Sequence, residues 1–465
     1  MKAEKTIVGK MRKTPLPPLG GEKLKLMGLI GLMCLIGLMG SCTSDLVQSV
    51  AEPEPEQQVE EEEQGMPIGL ECYVRNYRDY EPDEANGAKG MTRTDPEPPA
   101  WLPVGYSEDK NHKAIGAFFT KNDAEPLLRR FFYNTNTQDP EFPNPKWFIS
   151  SKTIETGDFY LYGYMPYNAA TVSITPNPTY DKGAILSFNN LESIMTKDVC
   201  VLVGAKEGSS SSTVSGLKTG QFGITMKEGK KENNDESKAN YLFLLFEHIY
   251  ARLDFRFRVD EEYAKLRTIK LRKVELRAYT STNVDYSEPH EMKKSGSLEV
   301  HLVANDTDES PIDNDIRFIP TTTSEEKMGP VLLFEGEVPL PSSTEKYTAG
   351  DDVDASLIGQ DKYTIETGYV PYYKFEENPD GAETKVLYVL HTTYDVYDKN
   401  TTTEHPEGNL IRKGCVADNA IKPRTLFGTE QLECGKQYVV KLTVAPTYLY
   451  VLSEPDLDNP TVVLN

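Results

Sequence analysis

The stretch Ile249-Tyr250-Ala251-Arg252-Leu253-Asp254-Phe255-Arg256-Phe257-Arg258-Val259 decides the fold class. Ile249, Ala251, Leu253, Phe255, Phe257 and Val259 are apolar, while Tyr250, Arg252, Asp254, Arg256 and Arg258 between them are mostly charged. Side chains alternate between the two faces of a strand, so this period of two predicts one buried and one solvated face. That is the pattern of an antiparallel sheet lying on a core. A second strand follows with Ile269 and Leu271, then Val274, Leu276 and Ala278. The parity slips between Leu271 and Val274, as a β-bulge requires.

Working outward, the same pattern predicts strands over 114–120, 159–165, 184–188, 199–203, 298–304, 331–340, 386–396 and 438–444. Turn residues separate them, among them Asn177-Pro178, Asn378-Pro379-Asp380-Gly381 and Glu407-Gly408-Asn409. Polar loops are expected at 207–215 and 227–238. Helix is scarce, with short pieces expected at 260–266 and 123–129. Tyr outnumbers Trp 26 to 2, and Gly and Pro number 33 and 31. That balance favours β-structure with many turns. The expectation is an all-β chain with two sandwiches in tandem, 66–240 and 241–465.

The amino-terminal region reads as an address. Lys10, Arg12, Lys13, Lys23 and Lys25 precede an apolar run from Leu26 to Met39, which ends in Leu38-Met39-Gly40-Ser41-Cys42. A basic start, a short apolar core and small residues at the cut make a secretory signal. The run falls short of the ~20 residues of a stable membrane-spanning helix. Residues 1–41 are therefore expected to be a lipoprotein signal peptide, with Cys42 lipidated and holding the chain at the outer membrane. Residues 42–65 carry Glu52, Glu54 and Glu56 alternating with prolines, then Glu60 to Glu63 in a row. Repelling charges and proline predict a solvated tether.

The formal net charge is −22. Residues 1–41 hold seven basic and two acidic side chains, so the remainder has 43 basic against 70 acidic, a net −27. A surface of that sign repels phosphate backbones, which argues against nucleic acid as a partner. Beyond Cys42, the cysteines are Cys72, Cys200, Cys415 and Cys434. Outside the cytoplasm disulfides are permitted, and Cys415 with Cys434 is the pair to consider, though spacing alone does not establish it. No C-x-x-C pair is present, so neither a metal nor a cofactor is expected.

Chemistry-bearing motifs are few. Nucleophile elbows, zinc-protease helices, phosphate loops and dinucleotide fingerprints are absent from the sequence, so no catalytic residue is assigned. His248, between Phe246 and Ile249, reads as a packed, hydrogen-bonded core histidine. Asp306, Asp308, Asp313, Asp315, Asp351 and Asp352 lie in acidic loops without the spacing of a calcium-binding loop. Tyr160, Tyr162 and Tyr164 share a strand face, which either stacks on sugars or covers a second apolar layer.

Several segments resemble the fimbrillin family of Bacteroidales, the subunits of type V pili. They are "DFYLYGYMPYN" (158–168), "TKDVCVLVGAK" (196–206), "FEHIYARLDFRFRV" (246–259) and "GKQYVVKLTVAPTYLYVLS" (435–453), together with the lipid-attachment motif and the acidic tether. The resemblance implies two tandem transthyretin-like (Greek-key) sandwich domains. It also implies a non-enzymatic role, adhesion through a surface fimbria built with other pilus subunits. In such stalk subunits an arginine-specific protease removes the lipidated segment with the first strand, and another subunit's carboxy-terminal segment fills the groove. Here Ile68, Leu70, Cys72 and Val74, alternating after Met66, suit a removable first strand. Arg75, Arg78 and Arg93 lie in or beside the polar segment that follows, and Arg93 is the favoured cleavage site. Thr461, Val462, Val463 and Leu464 form an apolar tail and are the donor-strand candidates, the alternative being an ordinary last strand of their own domain. An anchor or tip subunit that keeps its lipid, or a monomeric glycan-binding lipoprotein using the tyrosine face, are the competing roles.

Overall fold

The computed structural model describes residues 65–79, 101–103, 114–134, 146–151, 156–208, 217–228, 240–281, 283, 289–305, 310–313, 316–320, 326–342, 365, 368–371, 385–406, 408–429, 431–449 and 454–464. Among these residues the regular structure is nearly all strand, as the alternation predicts, with two short helices. None of their helices is long and apolar enough to cross a membrane.

The first sheet closes on itself. Its members are β1 (Met66–Arg75), β4 (Ile115–Lys121), β5 (Ala124–Asn134), β6 (Lys146–Ile149), β7 (Gly157–Met165), β10 (Cys200–Glu207) and β12 (Tyr241–His248). The order β10-β12-β1-β6-β5-β4-β7 returns to β10 through the pairs Cys200–Met165 and Val201–Tyr164. A seven-membered ring of hydrogen-bonded strands is a barrel, and it leaves no sheet edge open. Two short strands, β3 (Trp101–Pro103) on β1 and β11 (Gly223–Met226) on β7, complete it.

Alternate residues point into the barrel and pack together: Ile68, Leu70 and Cys72 from β1, Ile115 and Phe119 from β4, Leu161 from β7, Leu202 from β10, Leu242, Leu244 and Phe246 from β12. Residues of opposite parity, including Phe118, Tyr162, Tyr164, Val201, Val203 and Leu245, belong to a second and larger core outside the ring. Strands covered on both faces need unbroken apolar runs, which explains "IGAFF" in β4 and "YLFLLF" in β12.

A four-stranded sheet runs β8 (Thr171–Pro176), β9 (Gly183–Glu192), β16 (Ser295–Val303), β17 (Ile319–Pro320), with β9 and β16 antiparallel over nearly their whole lengths. A third sheet runs β19 (Gly368–Pro371), β13 (Tyr250–Val259), β22 (Lys436–Leu449), β2 (Arg78–Asp79), with β23 (Glu454–Leu464) also on β22. The fourth runs β15 (His290–Glu291), β14 (Arg267–Ser281), β20 (Lys385–Asp398), β21 (Leu410–Ile421), with β18 (Val331–Pro339) also on β14. Phe255, Phe257, Val440 and Leu442 from the third sheet share one core with Leu271, Leu276, Leu390 and Val396 from the fourth. The helices are α1 (Glu261–Leu266) and α2 (Pro423–Phe427).

Strand pairing adds to the domain picture, and two readings of single segments change. Residues 66–240 contribute to a closed barrel, and the β8-β9-β16-β17 sheet takes two strands from each side of residue 240. Barrel membership runs through His248, since β12 pairs with β1 and β10, and the third sheet begins at Tyr250. The helix expected at 123–129 is strand instead: Asn122 and Asp123 make a two-residue turn, and Ala124–Asn134 folds back on β4 as a hairpin. Tyr250, grouped with the solvated face, is fully buried, and its hydroxyl donates to the Glu192 carbonyl at 2.7 Å. The parity slip does fall at a bulge, between Leu271 and Lys273.

Candidate functional site

The features that bear on function gather around β1. It lies parallel to β12 along one edge, from Gly69 opposite Tyr241 to Val74 opposite Phe246. The other edge is covered by β6 at its start and β3 at its end. Ile68, Leu70 and Cys72 are buried inside the barrel, and Met66 and Val74 are half-buried against the same core. Full burial of an aliphatic side chain of this size contributes about 1.5–3 kcal/mol. On the outer face, a Cβ on Gly69 would lie 2.0 Å from the Tyr241 ring, so glycine lets that ring cross the strand. The phenols of Tyr73 and Tyr241 both donate to Glu71, at 2.6 and 2.5 Å. Burial, then the hydrogen bond to Glu71, pushes the Tyr73 phenol up to about 12.

The end of β1 is clasped. Arg75 pairs with Glu247 at 3.0 Å, and the Ser310 hydroxyl donates to the other Glu247 oxygen at 2.6 Å. The Nε2 of His248 meets the Arg75 carbonyl, and a carbonyl only accepts, so Nε2 carries a proton. On the other side of the ring, Nδ1 lies 2.7 Å from Asp198 Oδ2 and 3.4 Å from Cys200 Sγ. The Tyr77 ring stacks on His248 at 3.7 Å, and its hydroxyl donates to Asp198 Oδ1 at 2.7 Å. Burial, then the charge of Asp198, pushes the Tyr77 phenol well up. Directly after Tyr77, β2 pairs in parallel with Lys436 and Gln437 of β22. Arg75, Arg78, Glu247, Ser310, Thr429 and Glu433 line part of an adjoining cavity of about 580 Å³.

Cys200, His248 and Asp198 have the composition of a nucleophilic triad, but not its arrangement. Cys200 is 1% exposed, and burial with the nearby Asp198 charge pushes its thiol well up. An attacking cysteine needs the reverse, a lowered value and access. The thiol and the carboxylate also face the same ring nitrogen, whereas a triad places them on opposite ones. His248 is the packed, hydrogen-bonded residue that its apolar flanks predict.

The other sequence candidates are scattered. Cys42 and Arg93 lie outside the described residues, as do Asp306, Asp308, Asp315, Asp351 and Asp352. Thr461, Val462, Val463 and Leu464 fall in β23, opposite Ala445, Val444, Thr443 and Leu442 of β22 in the same chain. Tyr162 and Tyr164 are 0% and 2% exposed. The Tyr162 hydroxyl donates to the Tyr180 carbonyl at 2.6 Å, and Tyr164 packs edge-on against Phe188. These tyrosines cover a second apolar layer, and the sugar-stacking platform is withdrawn. Cys72, Cys200, Cys415 and Cys434 are all thiols, and Cys434 donates to the Ile249 carbonyl at 3.1 Å. The meeting of Tyr77, Asp198, Cys200 and His248 escaped the sequence reading. Only the closeness of Asp198, just before β10, to Cys200 at its start signalled it, since the partners are about 50 and 120 residues away.

No family model matches this chain. No curated protein matches it either. Among solved structures it is similar to cell-adhesion and fimbrial proteins of Bacteroidales. One, assigned to cell adhesion in Bacteroides fragilis, is 10% identical over 86% of this chain and 97% of its own, with a TM-score of 0.38. A fimbrial protein from Bacteroides vulgatus is 11% identical over 76% of this chain and 91% of its own, with a TM-score of 0.27. The fimbrial anchor protein Mfa2 from Porphyromonas gingivalis is 10% identical over 86% of this chain and 96% of its own, with a TM-score of 0.21.

Proposed function

We propose that this chain is a structural subunit of a surface fimbria, assembled by strand exchange and serving adhesion. The observation that carries the reading is the placement of β1. It closes a barrel between β12 and the β6/β3 edge, its alternate side chains fill the interior, and a segment with arginines follows it. Loss of β1 would uncover backbone donors and acceptors on both neighbours and an apolar slot between them. An added strand satisfies both at once.

The remaining steps follow from the sequence. The precursor is exported as a lipoprotein on Cys42 and reaches the outer surface behind its acidic tether. Cleavage after Arg93 removes β1 together with β2, while β3 stays. Arg75 and Arg78 are poorer targets, since the first is paired with Glu247 and the second lies in a strand on β22. The donor is the carboxy-terminal strand carrying Thr461, Val462, Val463 and Leu464. At 11 residues it matches the 10 of β1. As an edge strand held by β22, it can exchange one partner for another. The barrel and the sheets after His248 would be this chain's forms of the two tandem transthyretin-like domains.

The amino terminus of the protein recovered from cells tests the reading. A start at Thr94 is the expected outcome for a stalk subunit. A lipidated Cys42 retained on all the protein would overturn the strand-exchange role and assign an anchor, a tip or a monomer.

A further inference from the structure

Asp198, Cys200 and His248 bring a carboxylate, a thiol and an imidazole together, with their ligand atoms within 4.8 Å of one another. We propose that these three residues form a zinc site at the seam of the barrel. The inference does not rest on the fimbrial reading.

Three observations support it. Cys200 and His248 are register partners across β10 and β12, so the backbone ladder fixes their separation. Zinc–nitrogen and zinc–sulfur lengths of ~2.0 and ~2.3 Å at a tetrahedral angle place the two ligand atoms about 3.5 Å apart. Nδ1 and Sγ stand at 3.4 Å. Asp198 Oδ2, at 2.7 Å from Nδ1, must withdraw by roughly half an ångström to share a zinc ion with it. Next, Nε2 is held protonated by the Arg75 carbonyl, which is the outer hydrogen bond that aims the other nitrogen of a ligating histidine. Third, Tyr77 braces two ligands at once, stacking on the imidazole and donating to the second oxygen of Asp198.

Three protein ligands leave one exchangeable position, a set that zinc accepts. The ion would fix the start of β10 to the end of β12, beside the carbonyl at which β1 ends.

The test uses the full chain with Cys415→Ser and Cys434→Ser, stripped with a chelator and titrated with cobalt(II) and then zinc. The expected result is a thiolate-to-cobalt charge-transfer band saturating at one ion per chain, and its displacement by zinc. Cys200→Ser abolishes the band, and Tyr77→Phe weakens zinc binding roughly tenfold to a hundredfold. Should Cys200→Ser fail to fold, His248→Gln serves the same comparison. Absence of the band, or its survival in the folded Cys200→Ser or His248→Gln chain, overturns the site.

Discussion

Burial has a measurable consequence at the phenols. Tyr77, Tyr162, Tyr164, Tyr250, Tyr369 and Tyr394 all have values pushed up, in each case first by burial. Raised folded-state values favour the protonated form of the native protein. Their contribution to stability is therefore complete below the ordinary phenol value of about 10 and is lost as pH rises through and above it. Guanidinium unfolding midpoints taken at rising alkaline pH should fall steeply above that value, and a flat profile would show that these hydroxyls ionise freely in the native state. At this scale the sequence was only partly readable. The parity of Tyr160, Tyr162 and Tyr164 put them on one face, but whether that face met water or a second layer depended on β9, where Phe188 packs against Tyr164. Tyr250 followed the same logic, since His248 and Arg252, two positions to either side of it, are polar while its surroundings in space are an apolar core.

Local chemistry is most legible in the elements. The alternation at Ile249–Val259 and the slip before Val274 appear in β13 and in the β14 bulge, because burial of one sheet face leaves a period that packing must respect. The helix expected at 260–266 is α1, started by Asp260, whose Oδ1 accepts from the backbone of Glu262 and Tyr263 at 3.1 and 3.2 Å. Asp260→Ala should destabilise the protein by about 0.5–2 kcal/mol in equilibrium unfolding, and an unchanged midpoint would show that α1 is held by the buried Tyr263 alone. The segment 123–129 misled because Leu127, Leu128 and Arg129 are good helix formers. Tertiary pairing with β4 overrides that preference once the Asn122-Asp123 turn is made. The parallel pairing of β1 with β12 left no local mark at all, since its partners lie about 170 residues apart.

For the whole molecule, strand spacing carries no information on which strands meet. The ring closure through Cys200 and Met165, and the β9–β16 ladder that joins the two halves, are both non-local. Loss of β1 matters at this scale because the barrel has no spare edge. Every strand in the ring has two neighbours, so one missing strand leaves two unsatisfied edges facing a slot. The central claim is that this slot is filled by the carboxy-terminal strand of another copy. It is tested most directly by treating the full chain with an arginine-specific protease and following its mass by native mass spectrometry and by unheated SDS gels. The account predicts loss of the segment bearing β1 and a ladder of multiples that resists SDS, with the ladder absent when residues 461–465 are deleted. A cleaved chain that stays monomeric with its β1 fragment bound, or a ladder that survives that deletion, would contradict it.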